Sequence, residues 1–137
     1  MAGSSAAEFG LVVPVLFLIL FSTIKFGIAF NNYLQLTNAV ALGARQFAVE
    51  RTLGTPYTDA TTAIYNAAPG LTKANVTLTL SVNGSTCTKD ANCATALTGA
   101  LGGAAKVVGT YPCDLAIMGI DYAPNCKMTS QVKERVE

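Results

Sequence analysis

The sequence contains no histidine and no tryptophan, and only 12% of its 137 residues are charged. Without histidine the chain lacks the side chain that most often serves as a general base at neutral pH and most often ligates metals. A net charge of +1 offers no basic footprint for nucleic acid. There is no visible nucleophile–base pair, zinc-type spacing or glycine-rich phosphate loop, and Gly102-Gly103 and Asn83-Gly84 read as turn chemistry. No catalytic residue, metal, cofactor or nucleic-acid partner is therefore expected. Met1 to Ala7 holds neither Lys nor Arg, so the basic n-region of a secretory signal peptide is missing and the positive-inside rule has nothing to act on. Ala39-Val40-Ala41 resembles a signal-peptidase site but lies too far beyond the apolar run to serve as one. A start upstream of Met1 would supply a basic leader.

Cysteine is scarce but patterned. Cys87, Cys93, Cys113 and Cys126 all lie in the polar C-terminal part, with gaps of five and twelve residues inside the two pairs. Zinc ligands usually pair as C-x2-4-C, so disulfides between sequence neighbours, Cys87–Cys93 and Cys113–Cys126, are the better reading. Fewer than ninety residues follow the first fifty, enough for one small domain with a thin core. Such domains rely on disulfide staples, which persist only in oxidising compartments. The C-terminal part is therefore placed outside the cytoplasm.

What the chain has in excess is apolar sequence at one end. Phe9 to Ile24 carries no charge over sixteen residues, and past Lys25 the apolar character resumes through Phe30. As one helix, Phe9 to Phe30 runs about 33 Å at 1.5 Å per residue, roughly a bilayer's hydrocarbon thickness. A soluble domain of this size cannot hide it; it needs lipid or other copies of itself. Lys25 can snorkel towards headgroups, and Pro14 predicts a kink or local opening of the helix. Glu8 stands at the lip of the run. It reads either as a solvated carboxylate meeting the helix macrodipole or as a charge kept for a specific cation, since an unpaired carboxylate in low dielectric costs several kcal/mol.

Beyond Phe30 the residues Tyr33, Leu36, Val40, Gly43 and Phe47 recur at steps of three and four, one face of a helix continuing to about Arg51. Asn31, Gln35, Asn38, Arg45 and Glu50 lie mostly off that stripe. Thr55-Pro56 reads as N-cap and first residue of a second, short helix with Tyr57, Ala60, Ile64 and Ala67 inward, stopped by Pro69-Gly70. Val76 to Val82 alternates as a strand whose wet face is Thr77, Thr79 and Ser81, ending at the Asn83-Gly84 turn. Ala94 to Leu101 is weakly helical, Lys106 to Tyr111 is a second strand, and Lys127 to Val136 a third. Leu115 to Met118, with Ile120 and Tyr122, is expected to fold over the sheet edge, or else to form a sticky surface for neighbouring subunits. The expected fold is α+β and pilin-like: a long N-terminal helix packed on a small antiparallel sheet, with a short extra helix and two disulfides. Its segments are 1–8, a transmembrane or filament-core helix 9–30, an amphipathic continuation 31–52 and a disulfide-stapled domain 53–137.

Ala6-Ala7-Glu8-Phe9, Leu11 to Leu16 with Pro14, Ile24-Lys25-Phe26-Gly27, and Leu36 to Ala39 through Gly43-Ala44-Arg45 together resemble the TadE-like signature of tight-adherence (Tad) pilus systems. In that family an acid usually stands where Lys25 is, so the sign is reversed here. The resemblance implies a pseudopilin or minor pilin, inserted in the inner membrane as a precursor, cut by a prepilin peptidase and assembled into a cell-surface pilus. Its partners are then the membrane, other pilin subunits, the peptidase and the assembly machinery. It also implies cleavage between Gly3 and Ser4, which makes Glu8 the fifth mature residue, paired with the new α-amine of an adjoining subunit. Phe9, Leu11, Pro14, Leu16, Phe17 and Leu20 become filament-packing residues. The alternative is a single-pass membrane protein that never polymerises and binds partners through its extracytoplasmic domain.

Overall fold

The computed structural model describes residues 2–137; Met1, at the head of the expected first segment, lies outside them. Helix α1 runs Ala2–Val49 and is followed by α2 (Pro56–Ala67), a 3-10 turn (Lys73–Asn75), β1 (Thr77–Val82), β2 (Ser85–Cys87), α3 (Asp90–Thr98), β3 (Ala104–Pro112), β4 (Ala116–Ile117), β5 (Ile120–Asp121) and β6 (Lys127–Arg135). The chain divides into two compact units, Met1–Asn31 with Cys113–Cys126, and Asn32–Pro112 with Lys127–Glu137.

The long helix begins earlier than its apolar run and passes Pro14 without a break. Proline removes a single bond to the Gly10 carbonyl, and the bonds on either side carry the helix through, so the opening expected there does not interrupt it.

In the second unit α1 contributes a stripe of buried residues, Leu36, Ala39, Val40, Ala44, Phe47 and Ala48, to one apolar cluster shared with Ile64, Leu80, Leu97 and Val107. Tyr33, expected on that stripe, is instead 39% exposed. Two glycines permit close packing. A methyl at Gly43 would run into the side chain of Ile64 and come 3.3 Å from the Ala60 carbonyl oxygen, so α1 meets α2 there. At Gly109 of β3, a methyl would sit 3.1 Å from Leu36 Cδ1 and 2.5 Å from Val40 Cγ2, which lets α1 lie close over the sheet.

The sheet has the order β2-β1-β3-β6, each neighbour antiparallel. Leu80, Val82, Ala105 and Val107 are buried on the helix-covered face, while Thr79, Thr129, Gln131 and Lys133 are exposed on the other. On that outer face Lys106 stands directly opposite Lys133. Ser81, assigned to the wet face, is only 9% exposed: it lies on an interior strand, flanked by Thr86 and Lys106 in register. Asn83 and Gly84 take φ of 48° and 88°, the two positive values of a type I′ hairpin turn, and the three-residue β2 returns from it.

Three local expectations change. Thr55 precedes α2 but caps no backbone N–H; its hydroxyl donates to Asp59 Oδ2 at 2.7 Å. The N-terminus of α2 is served instead by Asp90, whose carboxylate accepts the Thr58 N–H at 2.8 Å and the Thr58 hydroxyl at 2.6 Å. Those bonds hold the Asp90 carboxyl below its ordinary 3.8. Helix α3 therefore starts at Asp90 rather than Ala94, which brings Cys93 inside it. Finally Glu50, read as lying off the buried stripe, is 1% exposed. Gln46 Nε2 donates to its Oε1, its Oε2 has no partner among the described residues, and burial pushes its carboxyl above the ordinary 4.5.

Candidate functional site

The first unit is built on the apolar half of α1. Its most apolar 18-residue window has a mean hydropathy of 2.3 and none of it is buried. Of the expected filament-packing residues, Phe9 is 71% exposed, Leu11 75% and Leu16 61%; Pro14, Phe17 and Leu20 are exposed as well. Phe17 and Phe21 stack on each other along the surface, centroids 6.1 Å apart. The polar residues of this stretch turn inward on the helix: Ser22 Oγ donates to the Leu18 carbonyl at 2.7 Å and Thr23 Oγ1 to that of Ile19 at 2.8 Å. Back-bonding of this kind leaves no hydroxyl without a partner where water is absent.

Gly3 and Ser4, the expected cleavage pair, lie exposed in the first turn of α1, and Glu8 is exposed about one turn on. Nothing approaches within 4 Å of the place where a Gly3 side chain would be. The three are on one helix, open to an enzyme or to another chain.

The other half of this unit is the loop Cys113–Cys126. Its two cysteines are bonded, Cα atoms 5.3 Å apart, and the Cys113 N–H donates to the Cys126 carbonyl at 3.1 Å. The second bridge, Cys87–Cys93 at 5.2 Å, belongs to the sheet unit and ties the end of β2 to α3. No cysteine is left free among the described residues.

Lys25 Nζ donates to Asp114 Oδ2 at 2.9 Å. The bond to Lys25, joined by the Ala116 N–H on the other oxygen at 3.0 Å, holds the Asp114 carboxyl below its ordinary 3.8. Asp114 was not singled out from the sequence, although an isolated cation in an apolar run asks for an isolated acid elsewhere. Around this pair the loop sits against residues 21–28 of α1, a different partner from the expected sheet edge. One trough of about 300 Å³ lies among Phe21, Ile24, Ile28, Ile117 and Met118, and another of about 320 Å³ among Ser22, Phe26, Leu115 and Tyr122.

The GAR triplet ends differently from the rest of the motif: Gly43 and Ala44 are buried, while Arg45 is exposed and lies 3.8 Å from Glu134 Oε1, a surface pair of small energetic weight. The site as a whole can present an apolar helix to lipid or to like helices, with one carboxylate at its rim. Among the described residues, no group of three or more His, Cys, Asp or Glu is placed to hold a metal.

Comparison with curated proteins and with solved structures gives no match. Residues 3–45, all of them within α1, match the model of the family of TadE-like proteins, and it is over this helix that the chain is similar to that family.

Proposed function

We propose that the protein is a structural subunit, a pseudopilin or minor pilin, of a Tad or type IV-like pilus. The single observation that carries this reading is an apolar run of membrane length of whose most apolar window no residue is buried by its own chain. Segment 1–8 is trimmed after Gly3 by a prepilin peptidase, 9–30 spans the inner membrane in the precursor, 31–52 is the amphipathic continuation, and 53–137 lies on the extracytoplasmic side. The placement outside the cytoplasm is supported by the two disulfides, which need an oxidising compartment.

On leaving the bilayer, the helices of neighbouring subunits bury one another, because water would cost about 25 cal/mol for each Å² of apolar surface exposed. Within that bundle the Glu8 carboxylate needs a cation, and the α-amine of Ser4 in the adjoining subunit supplies one, fixing the axial register. Phe9, Leu11, Pro14, Leu16, Phe17 and Leu20 form the packed surface.

Two measurements test this. The mass of the N-terminal peptide of the chain recovered from cells should begin at Ser4. Glu8→Ala should insert into the membrane as the parent does yet enter filaments poorly. A chain that begins before Ser4 and is absent from filaments would favour the single-pass protein that does not polymerise, and undiminished incorporation of Glu8→Ala would overturn the pairing of Glu8 with the α-amine.

A further inference from the structure

We propose that the disulfide-closed loop Cys113–Cys126 is a second membrane-contacting element, seated in the interfacial layer of the bilayer that α1 spans, with lipid acyl chains covering Met118, Ile120 and Tyr122. The inference rests on the membrane-inserted precursor argued above and adds to it a partner for a surface outside the helix.

The first observation is a turn built against its own preference. Strands β4 and β5 are joined by Met118-Gly119 with φ of 52° and 82°, the same pair of positive values that Asn83-Gly84 adopts between β1 and β2. Asn-Gly is what such turns favour, because Cβ crowds the backbone at positive φ, a cost that Gly escapes and that Asn offsets by local hydrogen bonding. The chain uses that solution once and then places methionine in the equivalent position, where its side chain is 77% exposed. Ile120 and Tyr122 beside it are 58% and 63% exposed. A strained backbone that holds an apolar side chain outward points to a contact made by that side chain.

Depth is the second observation. The loop is fastened to α1 by the Lys25–Asp114 pair, and its troughs are lined by residues of the 21–28 stretch. Lys25 lies five residues before Phe30, about 7–8 Å inward from the end of the apolar run at 1.5 Å per residue. Interfacial elements bury their apolar faces about 5–10 Å below the headgroup boundary. Lipid that covers Phe26 and Ile28 therefore meets the loop.

Polar bookkeeping is the third. Whatever backbone of such a segment reaches the acyl chains must be satisfied internally. The ladder pairs Ala116 with Asp121 and Ile117 with Ile120. Asp114 and Asp121 each accept the N–H two residues on, both at 3.0 Å, while Cys113 N–H and Cys126 N–H bond to carbonyls of the same loop at 3.1 Å. Asp114 also neutralises Lys25, the one cation of the run. The loop carries no cation of its own, so apolar burial rather than attraction to anionic headgroups drives the contact, and zwitterionic lipid suffices.

The absence of tryptophan allows a clean test. Single-tryptophan variants Phe17→Trp, Tyr122→Trp and Thr79→Trp of the full chain are reconstituted at low protein density in phosphatidylcholine vesicles carrying bromine at a shallow or a deep acyl position. Tyr122→Trp should emit to the blue of Thr79→Trp and be quenched about twofold more by shallow than by deep bromine, whereas Phe17→Trp should favour the deep one. Should Phe17→Trp be quenched while Tyr122→Trp emits as in water, the loop proposal is wrong and the spanning helix stands. If neither is quenched, the membrane reading itself fails. A blue shift at Tyr122→Trp that grows only with protein density would assign the surface to a second copy and also overturn the proposal. Met118→Trp, a second reporter in the same loop, repeats the measurement if Tyr122→Trp folds poorly.

Discussion

One helix in this protein meets two different surroundings. Between Phe9 and Phe30 α1 carries large apolar side chains on every side and leaves them exposed. Between Leu36 and Ala48 it carries all of them but the exposed Leu42 on one stripe, interleaved with Ala39, Gly43 and Ala44, and buries that stripe. The first stretch, apolar on every side, suits surroundings that are apolar on every side, as lipid or like helices are. The second is one-sided because a sheet and a short helix wait on one face only. Within that stripe a small residue lets another element come close, as Gly43 does against Ile64.

The contrast is broken most sharply by making one substitution in both stretches. Phe47→Ala, at a fully buried site, should cost the folded domain about 3–5 kcal/mol, read by urea unfolding of the full chain in detergent. Phe17→Ala, at a site 48% exposed, should change the same transition by no more than about 0.5 kcal/mol; a large loss there would mean that the outer stretch has a packed partner within its own chain. Next in size, replacing Cys87 and Cys93 with serine should cost roughly 2 kcal/mol for a loop this short in the chain-entropy picture, seen as a lower midpoint in the same titration. Membrane association should be unaffected, because that bridge belongs to the sheet unit.

A smaller effect is expected at Glu50, where the packed stretch buries a carboxylate. Its proton is held more tightly in the folded chain than in the unfolded one, so the stability it contributes is present below pH 4.5 and is lost as pH rises through the elevated folded value. Thermal melts of the parent should therefore decline across that window, and Glu50→Gln should flatten the decline. Asp90 acts in the opposite sense: held below its ordinary 3.8, it contributes above that pH and stops doing so as pH falls through the depressed value. The smallest effect concerns the outer sheet face. Lys106→Glu, placed opposite Lys133, should raise stability by about 0.2–1 kcal/mol, an increment that added salt should shrink.

Much of this architecture was legible in the residues. The span Phe9–Phe30 follows from hydropathy, the buried stripe from steps of three and four, and the β1 turn from Asn83-Gly84. Each of these signals is carried by neighbouring residues. The neighbour-paired cysteines, Cys87 with Cys93 and Cys113 with Cys126, were legible as well and stand as bonded. What escaped is carried by residues far apart in sequence. Asp90 caps a helix that begins at Pro56, so α3 starts before any apolar period does. Glu50, just past the end of α1, is buried although its place in the helical period does not put it on the apolar stripe. Of the candidate site, the exposed apolar run could be picked out directly. The Lys25–Asp114 pair spans 89 residues, and the seat of the 113–126 loop depends on it. The three residues of β2 are too few to show a period of two.

The nine registered pairs between β3 and β6 end at Pro112 and Lys127, and the next residue on each side is a cysteine of the same bridge. A slide of one strand by a single position would turn every inward side chain of β6 outward and would at the same time carry the two sulfur atoms out of reach of each other. Once oxidised, the chain has a single way to zip this hairpin, so covalent chemistry proofreads the pairing that hydrophobic alternation proposes.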